Sequence, residues 1–440
     1  MPLLGTRGAA SARGFGFGAT SPDSYWIVTL SNSNAARGDR VALDSGKNIY
    51  VVGFEQDSND YQAFITKYNP SGIIQWQRYL GSTRRGFGYG VAVDSSDNVY
   101  LVGSIDELAP VGTNIKGSVV AKYNSSGTLQ WQRILKDSSV YGVFGQGIAV
   151  DSSANVYVTG QCWNGSNYDI LFYKLNSSGT IQYQKIIGSG YTDNAYAITV
   201  DSSGNIYIAG TFNDVTGPYK MLITKIDNTG GSITWQRSLD DSGNADNDSA
   251  RDIAVDSSGN VYIVGIISIS GSCLIAKYNS SGTLQWQRQL GGSGFGGNTY
   301  GRGIALDSSA NVYIAGYNDA QNCIFAKYNS SGTIQYQRAI ASAGVDTGFG
   351  ITVDSSGGNV YVTGNANGNN NILVTKLPGD GSKSGATYGA YSYLVSTLTD
   401  QAASLTSATS SLSISTSSYT AATSSYTDAT TSLTSTVTPV

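Results

Sequence analysis

Short apolar runs recur along the chain, each broken by a polar cluster of Asp, Ser, Gly and Asn and followed by a second run in which hydrophobic residues alternate. The units read VALDSGKNIYVVG (41–53), VAVDSSDNVYLVG (91–103), IAVDSSANVYVTG (148–160) and ITVDSSGNIYIAG (198–210). Three more follow: IAVDSSGNVYIVG (253–265), IALDSSANVYIAG (304–316) and, one residue longer, ITVDSSGGNVYVTG (351–364). Their aspartates, Asp44, Asp94, Asp151, Asp201, Asp256, Asp307 and Asp354, are spaced by 47 to 57 residues. Period-two alternation bounded by turn formers predicts strands. Seven units of about 50 residues have the period of a propeller.

Each unit divides into four strands. IAVD is the first, a DSSGN turn follows in which Asp and Asn side chains cap the backbone, and NVYVTG is the second. LIAKY is the third, NSSG the next turn and TLQWQR the fourth; the whole string YNSSGTLQWQR stands at 123–133 and again at 278–288. Arg and Gln along the fourth strand suit an outer rim, where charge and polarity discourage edge-to-edge pairing. The fourth strand follows a first strand only six times, at Trp76, Trp131, Tyr183, Trp235, Trp286 and Tyr336. The seventh copy is at the front. Trp26 precedes Asp44 by 18 residues, the interval between Trp76 and Asp94, so residues 25–30 are expected to pair with NILVTKL (371–377) and close the ring.

The units VDSSGNVYVTG and LIAKYNSSGTLQWQR resemble the bacterial SBBP β-propeller repeat, related in pattern to NHL propellers, over roughly residues 25–380. The expected fold is all-β: a seven-bladed propeller of four-stranded antiparallel blades closed by an N-terminal outer strand. A C-terminal Ser/Thr-rich heptad segment follows, read as a coiled coil or as disordered. Propellers host binding, scaffolding and catalysis alike, so the resemblance implies a fold and leaves function open.

Composition narrows the chemistry. The chain has 440 residues, a net charge of −4 and no histidine. The acidic balance gives no reason to expect nucleic acid as partner. Without histidine there is no Ser-His-Asp or Cys-His nucleophile and no His-based metal site. Cys162, Cys273 and Cys323 are too few and too irregular for a disulfide framework and read as strand packing. The first residues carry no apolar h-region, arguing against a Sec signal, and no run reaches the ~18 apolar residues of a membrane helix. No cofactor, metal or membrane insertion is expected.

Candidate function sits in the variable loops. The DSSGN and NSSG turns open on one face of the disc; the second loops and the blade connections open on the other, and these vary. Arg84, Arg85 and Phe87 in GSTRRGFGYG, with Trp163, Asn164 and Tyr168 in QCWNGSNYD, can stack on and hydrogen-bond a sugar. The repeated aspartates read as turn caps in preference to calcium ligands. The acidic clusters Asp240, Asp241, Asp246 and Asp248, and Asp106 with Glu107, read as solvated loops in preference to a cation site or a glycosidase pair.

The ends differ from the middle. Residues 381–440 run in sevens, with Leu398, Leu405, Leu412, Tyr419, Tyr426 and Leu433 at one heptad position, a pattern for homo-oligomerisation or assembly. Ser and Thr disfavour a lone helix there. Residues 1–24, rich in Gly, Ala, Arg and Phe, resemble the heads of structural proteins of tailed phages and are a candidate docking arm. These features together predict a non-enzymatic virion protein, a tail appendage or capsid decoration assembled in the host cytoplasm. It would bind a host-surface glycan or protein and join other virion proteins through its termini. The alternatives are a polysaccharide lyase or glycosidase on the same scaffold and a bacterial cell-surface or extracellular-fibre protein.

Overall fold

A computed structural model describes residues 25–31, 35–57, 60–81, 85–108, 114–136, 142–213, 217–240, 247–268, 271–291, 297–366, 368 and 371–382, and eight short strands between 386 and 439. Blade 1 is formed by Ala36–Leu43, Ile49–Asp57, Asp60–Tyr68 and Ile74–Gly81, each antiparallel to the next, and the pattern repeats around the ring. Blade 7 comprises Thr347–Val353, Asn359–Ala366, Asn371–Pro378 and, from the front of the chain, Trp26–Ser31. Trp26 pairs with Lys376 and Leu30 with Ile372, so the ring closes where the displaced tryptophan predicts.

Burial follows the alternation. The second and third strands are covered on both faces, and their apolar residues pack between blades: Tyr50, Val52 and Ile65 of blade 1 join Val99, Leu101 and Val119 of blade 2 in one cluster. Burying each such Val, Ile or Leu contributes about 1.5–3 kcal/mol.

The DSSGN turns behave as caps. In blade 5, Oδ1 of Asp256 accepts from the backbone N–H of Ser258 and Asn260, each at 2.9 Å, while Oδ2 accepts from Asn260 Nδ2 at 2.8 Å and from the Tyr262 hydroxyl at 3.1 Å. Tyr50, Tyr100, Tyr157, Tyr207 and Tyr313 donate to their own aspartates in the same way. These tyrosines are buried packing residues, as the repeat implies.

The fourth strand of one blade docks on the NSSG turn of the next. Trp76 Nε1 donates to the carbonyl of Ser125 at 3.1 Å and Arg78 Nε to that of Gly127 at 3.0 Å. Arg133, Arg237, Arg288 and Arg338 repeat the second bond to Gly179, Gly282, Gly332 and Gly381. WQR and NSSG recur together because each reads the other across a blade boundary.

The tail differs from the helical alternative. Where described, it is strand, and it adds one antiparallel strand to the outer edge of every blade, with Ala386–Tyr388 a second one on blade 6. Tyr391–Val395 pairs with blade 6, Asp400–Ala402 with blade 5, Thr406–Ala408 with blade 4, Ser413–Thr416 with blade 3, Thr420–Thr423 with blade 2, Thr427–Ala429 with blade 1 and Thr434–Pro439 with blade 7. The tail thus circles the disc against the direction in which the blades were laid down. Val395 faces Arg338 and Ala402, seven residues on, faces the equivalent Arg288; Thr416 and Thr423 face Lys185 and Arg133. The seven-residue repeat is therefore a step from blade to blade, and seven extended residues span at most about 23–25 Å. Thr, β-branched, suits strand better than helix. Leu398, Leu405, Leu412, Tyr419, Tyr426 and Leu433 each fall between these strands and lie outside the described residues, as do residues 1–24.

Candidate functional site

Every inner strand carries a β-bulge at the same place. Register slips between Gly38 and Arg40, Gly88 and Gly90, Gly145 and Gly147, Ala195 and Ala197, Ala250 and Asp252, Gly301 and Gly303, and Gly348 and Gly350. A bulge leaves one residue out of the ladder and re-aims it. The seven residues so released are Asp39, Tyr89, Gln146, Tyr196, Arg251, Arg302 and Phe349, and all seven line one cavity of about 170 Å³ around the axis, with Arg37 and Arg40. The bulge also explains the last letter of each NVYVTG run. It draws the first strand so close that a Cβ on Gly160 would sit 1.8 Å from the Phe144 carbonyl oxygen.

The cavity lies toward the variable-face ends of the inner strands. Arg37 forms an ion pair with the buried Asp39 at 2.6 Å, and its guanidinium lies between the rings of Phe54 and Phe349, at 4.9 and 4.7 Å from their centroids. Arg251 covers Tyr196 at 4.3 Å, and Arg302 lies 5.5 Å from Tyr317 and 5.7 Å from Phe349. Arg40 is committed to the scaffold, donating to the carbonyls of Asp39, Phe349 and Arg251. Burial pushes the carboxyl of Asp39 up despite Arg37 beside it, and pushes the Tyr89 hydroxyl up to about 12.

Outside this cavity the loop residues singled out in the sequence form two aromatic patches. Phe87 packs edge-on against Phe54 at 5.1 Å and stacks on Tyr61 at 5.2 Å, and exposed Arg85 lies 5.9 Å from the Tyr61 ring. Phe87 also stacks on Tyr89 at 6.0 Å, which joins this patch to the axial cavity. Trp163 meets Tyr168 edge-on at 5.2 Å, Tyr168 meets Phe144 at 6.0 Å, and Lys116 lies 5.3 Å from Phe144. Asn164 is exposed, but its amide is used by its own loop: Nδ2 donates to Asp169 Oδ2 at 2.7 Å, and Oδ1 accepts from Ser166 and Asn167 N–H groups. Arg84 lies outside the described residues, and so do Asp241, Asp246 and the side chains of Asp240 and Glu107.

The acidic groups that are described serve the loops. Asp193 is fully buried; its two oxygens accept from the backbone of Ser189 and Asn213, and burial raises its pKa to about 6 with Asp169 adding to the shift. Asp248 holds Ser268 in the equivalent way, and Asp346 holds Ser342. All three stand three positions before a bulge residue. Among the described residues no group of three or more Cys, Asp or Glu side chains is placed to hold a metal ion.

Sequence reasoning pointed to the loops and passed over the bulge ring. The signal was there in five of the seven inner strands: aligned on their aspartates, they keep Gly or Ala on both sides of one varying position, as in GFGYGVAV, VFGQGIAV and TYGRGIAL, whereas in blades 1 and 5 Arg40 and Asp252 stand on one side of it.

A match to a family model agrees with the repeat. A model of the SBBP beta-propeller repeat matches residues 75–108, 182–211, 285–321 and 337–371, each match starting in a fourth strand and running into the next blade. The chain is 24% identical over 266 residues to an uncharacterized WD repeat-containing protein of Acanthamoeba polyphaga mimivirus; the match takes in 50% of this chain and 18% of that protein's length. Among solved structures, that of Chaetomium thermophilum Sqt1 is similar with a TM-score of 0.45 and 10% identity, over 78% of this chain and 96% of the other.

Proposed function

We propose that this propeller, four stretches of which match the SBBP repeat, is a non-enzymatic recognition disc of a virus particle, presenting its variable face to a glycan on the host surface. The observation that carries the reading is the gathering of aromatic rings and cations on that face. Phe54, Tyr61 and Phe87 with Arg85, and Phe144, Trp163 and Tyr168 with Lys116, combine stacking surface with hydrogen-bond donors. The carboxylates Asp193, Asp248 and Asp256, by contrast, are used in turns and loop ties, and Asp39 is paired with Arg37, which supports binding over hydrolysis. Similarity to a giant-virus protein supports the viral setting. Because the tail strands are engaged along the disc, attachment to other virion proteins or to further copies is assigned in this proposal to residues 1–24.

The test is a glycan array probed with labelled full-length protein, with release of reducing ends followed on the glycans that bind. Saturable binding without release, weakened at least tenfold by Phe87→Ala or Trp163→Ala, supports the reading. Release of product would replace it with the lyase or glycosidase, and retention by no glycan would overturn it.

A further inference from the structure

We infer that the axial cavity is a second, separate binding site, which takes the carboxylate of an acidic monosaccharide in a fork of arginines. Its lining carries four arginines against one aspartate, an excess of three positive charges. Counting Asp252 as well, whose oxygens accept from the backbone of Ile253 and Ile304 and which lies within reach of Arg40, the excess is still two. This stands out in a chain whose net charge is −4.

Two of the arginines are held ready for a ligand. Among the described residues neither Arg251 nor Arg302 has a carboxylate partner: Arg251 Nε donates to Ser249 Oγ at 2.9 Å, and Arg302 donates one Nη to the Tyr317 hydroxyl at 3.0 Å. Arg302 Nε is buried without any hydrogen-bond partner, and so is Arg37 Nε. A buried donor left unmet costs about 1–3 kcal/mol, so a ligand that supplies acceptors recovers that cost. Stacking on Tyr196, Tyr317 and Phe349 occupies guanidinium faces and leaves the in-plane N–H groups for a planar, bidentate anion. Burial, and after it the neighbouring Arg302 and Arg40, lower the Arg251 pKa against the opposing pull of Tyr196 and Tyr317.

Size sets the class of ligand. About 170 Å³ is smaller than the ~300–1,000 Å³ that encloses a drug-sized molecule, and admits one acidic sugar unit at the end of a chain. Three aromatic residues in the lining, Tyr89, Tyr196 and Phe349, give a sugar ring apolar contact beside the charge. The lining shares no residue with the two loop patches, although Phe87 and Phe54 of one patch touch Tyr89 and Arg37, and the site stands whether or not the patches bind glycan.

The experiment is titration calorimetry of the full chain with D-glucuronate, D-glucose and inorganic phosphate. Glucuronate is expected to bind saturably and glucose not to bind. Arg302→Gln and Arg251→Gln are expected to weaken glucuronate at least tenfold, Arg302→Lys by less, and Trp163→Ala not at all, with the melting temperature of each variant checking its fold. Equal affinity for glucose and glucuronate, or glucuronate binding untouched by both Gln variants, would overturn the site. Phosphate binding without glucuronate binding would overturn its assignment to a carboxylate.

Discussion

Trp131 of blade 2 covers Gly179 of blade 3: its indole N–H donates to the Ser177 carbonyl at 3.0 Å, and a Cβ built on Gly179 would come within 2.8 Å of the ring. The contact recurs around the disc, from Trp26 over Gly72 to Tyr336 over Gly381, so blade docking depends on a missing side chain. Gly179 also has a φ of +78°, which other residues adopt at a cost. Gly179→Ala is expected to lower stability by about 1–3 kcal/mol, and Gly282→Ala, against Trp235, by a similar amount. Denaturant unfolding measures both; a change within error would mean that the indole moves aside freely.

The capping aspartates set the acid limit of the fold. Burial alone would raise the Asp256 pKa, but hydrogen bonds from Asn260, Tyr262 and Ser258 outweigh it and hold the carboxyl below its ordinary value. Asp94, Asp151 and Asp201 are lowered in the same way, and Asp354 is lowered to about 2. With the folded pKa below the unfolded one, the stabilisation is present above the unfolded value near 3.8 and is lost as pH falls through the folded value. Thermal melts are expected to hold down to about pH 4 and then drop steeply. Asp256→Ala is expected to cost about 1–3 kcal/mol at neutral pH and to make that drop shallower.

Asp193 acts with the opposite sign. Its folded pKa, about 6 against an ordinary 3.8, means that the folded chain holds a proton the unfolded chain has released. Its contribution to stability therefore falls as pH rises from about 4 to about 6. Asp193→Asn should remove that slope and leave the acid limb below pH 4 in place. A difference curve of melting temperature against pH, native minus variant, isolates it; a flat difference across this window would show that Asp193 is ionised throughout.

The three cysteines offer a simple check on packing. Cys162, Cys273 and Cys323 are buried and unpaired with one another, and burial, with Asp346 next, pushes the Cys323 thiol far above its usual range. A thiol reagent is expected to label none of them in the native chain and all three after denaturation. Rapid native labelling would place at least one cysteine near the surface.

How much was legible depends on how strongly each position is bound to the repeat. Asp256, Tyr262, Trp286 and Gly282 recur in register, so their strands, turns and ring closure could be read by alignment of the chain on itself. Trp26 showed the closure because its distance from Asp44 repeats that from Trp76 to Asp94. The bulge ring was harder, since Arg251 and Arg302 vary by design of the position, and alternation alone assigns them to a strand face without revealing the slipped register. The tail was harder still. A spacing of seven is common to a helical seam and to a strand laid across equally spaced blades, and only the seven waiting sheet edges distinguish the two.

That distinction can be measured. Ending the chain at residue 382 removes the outer strand from all seven sheets and exposes the fourth strands, among them Leu129–Lys136 and Leu284–Leu290, along their free edges. Unpaired edges exchange their amide protons with water and invite pairing with other chains. The shortened chain is expected to keep its propeller, because the blades pack through residues 25–382, but to show faster hydrogen exchange in the fourth strands and self-association at concentrations where the full chain is monodisperse. Adding a synthetic peptide of residues 386–439 should restore slow exchange, since the pairing is made by backbone register. Unchanged exchange in the fourth strands after truncation would return the heptads to an assembly role away from the disc.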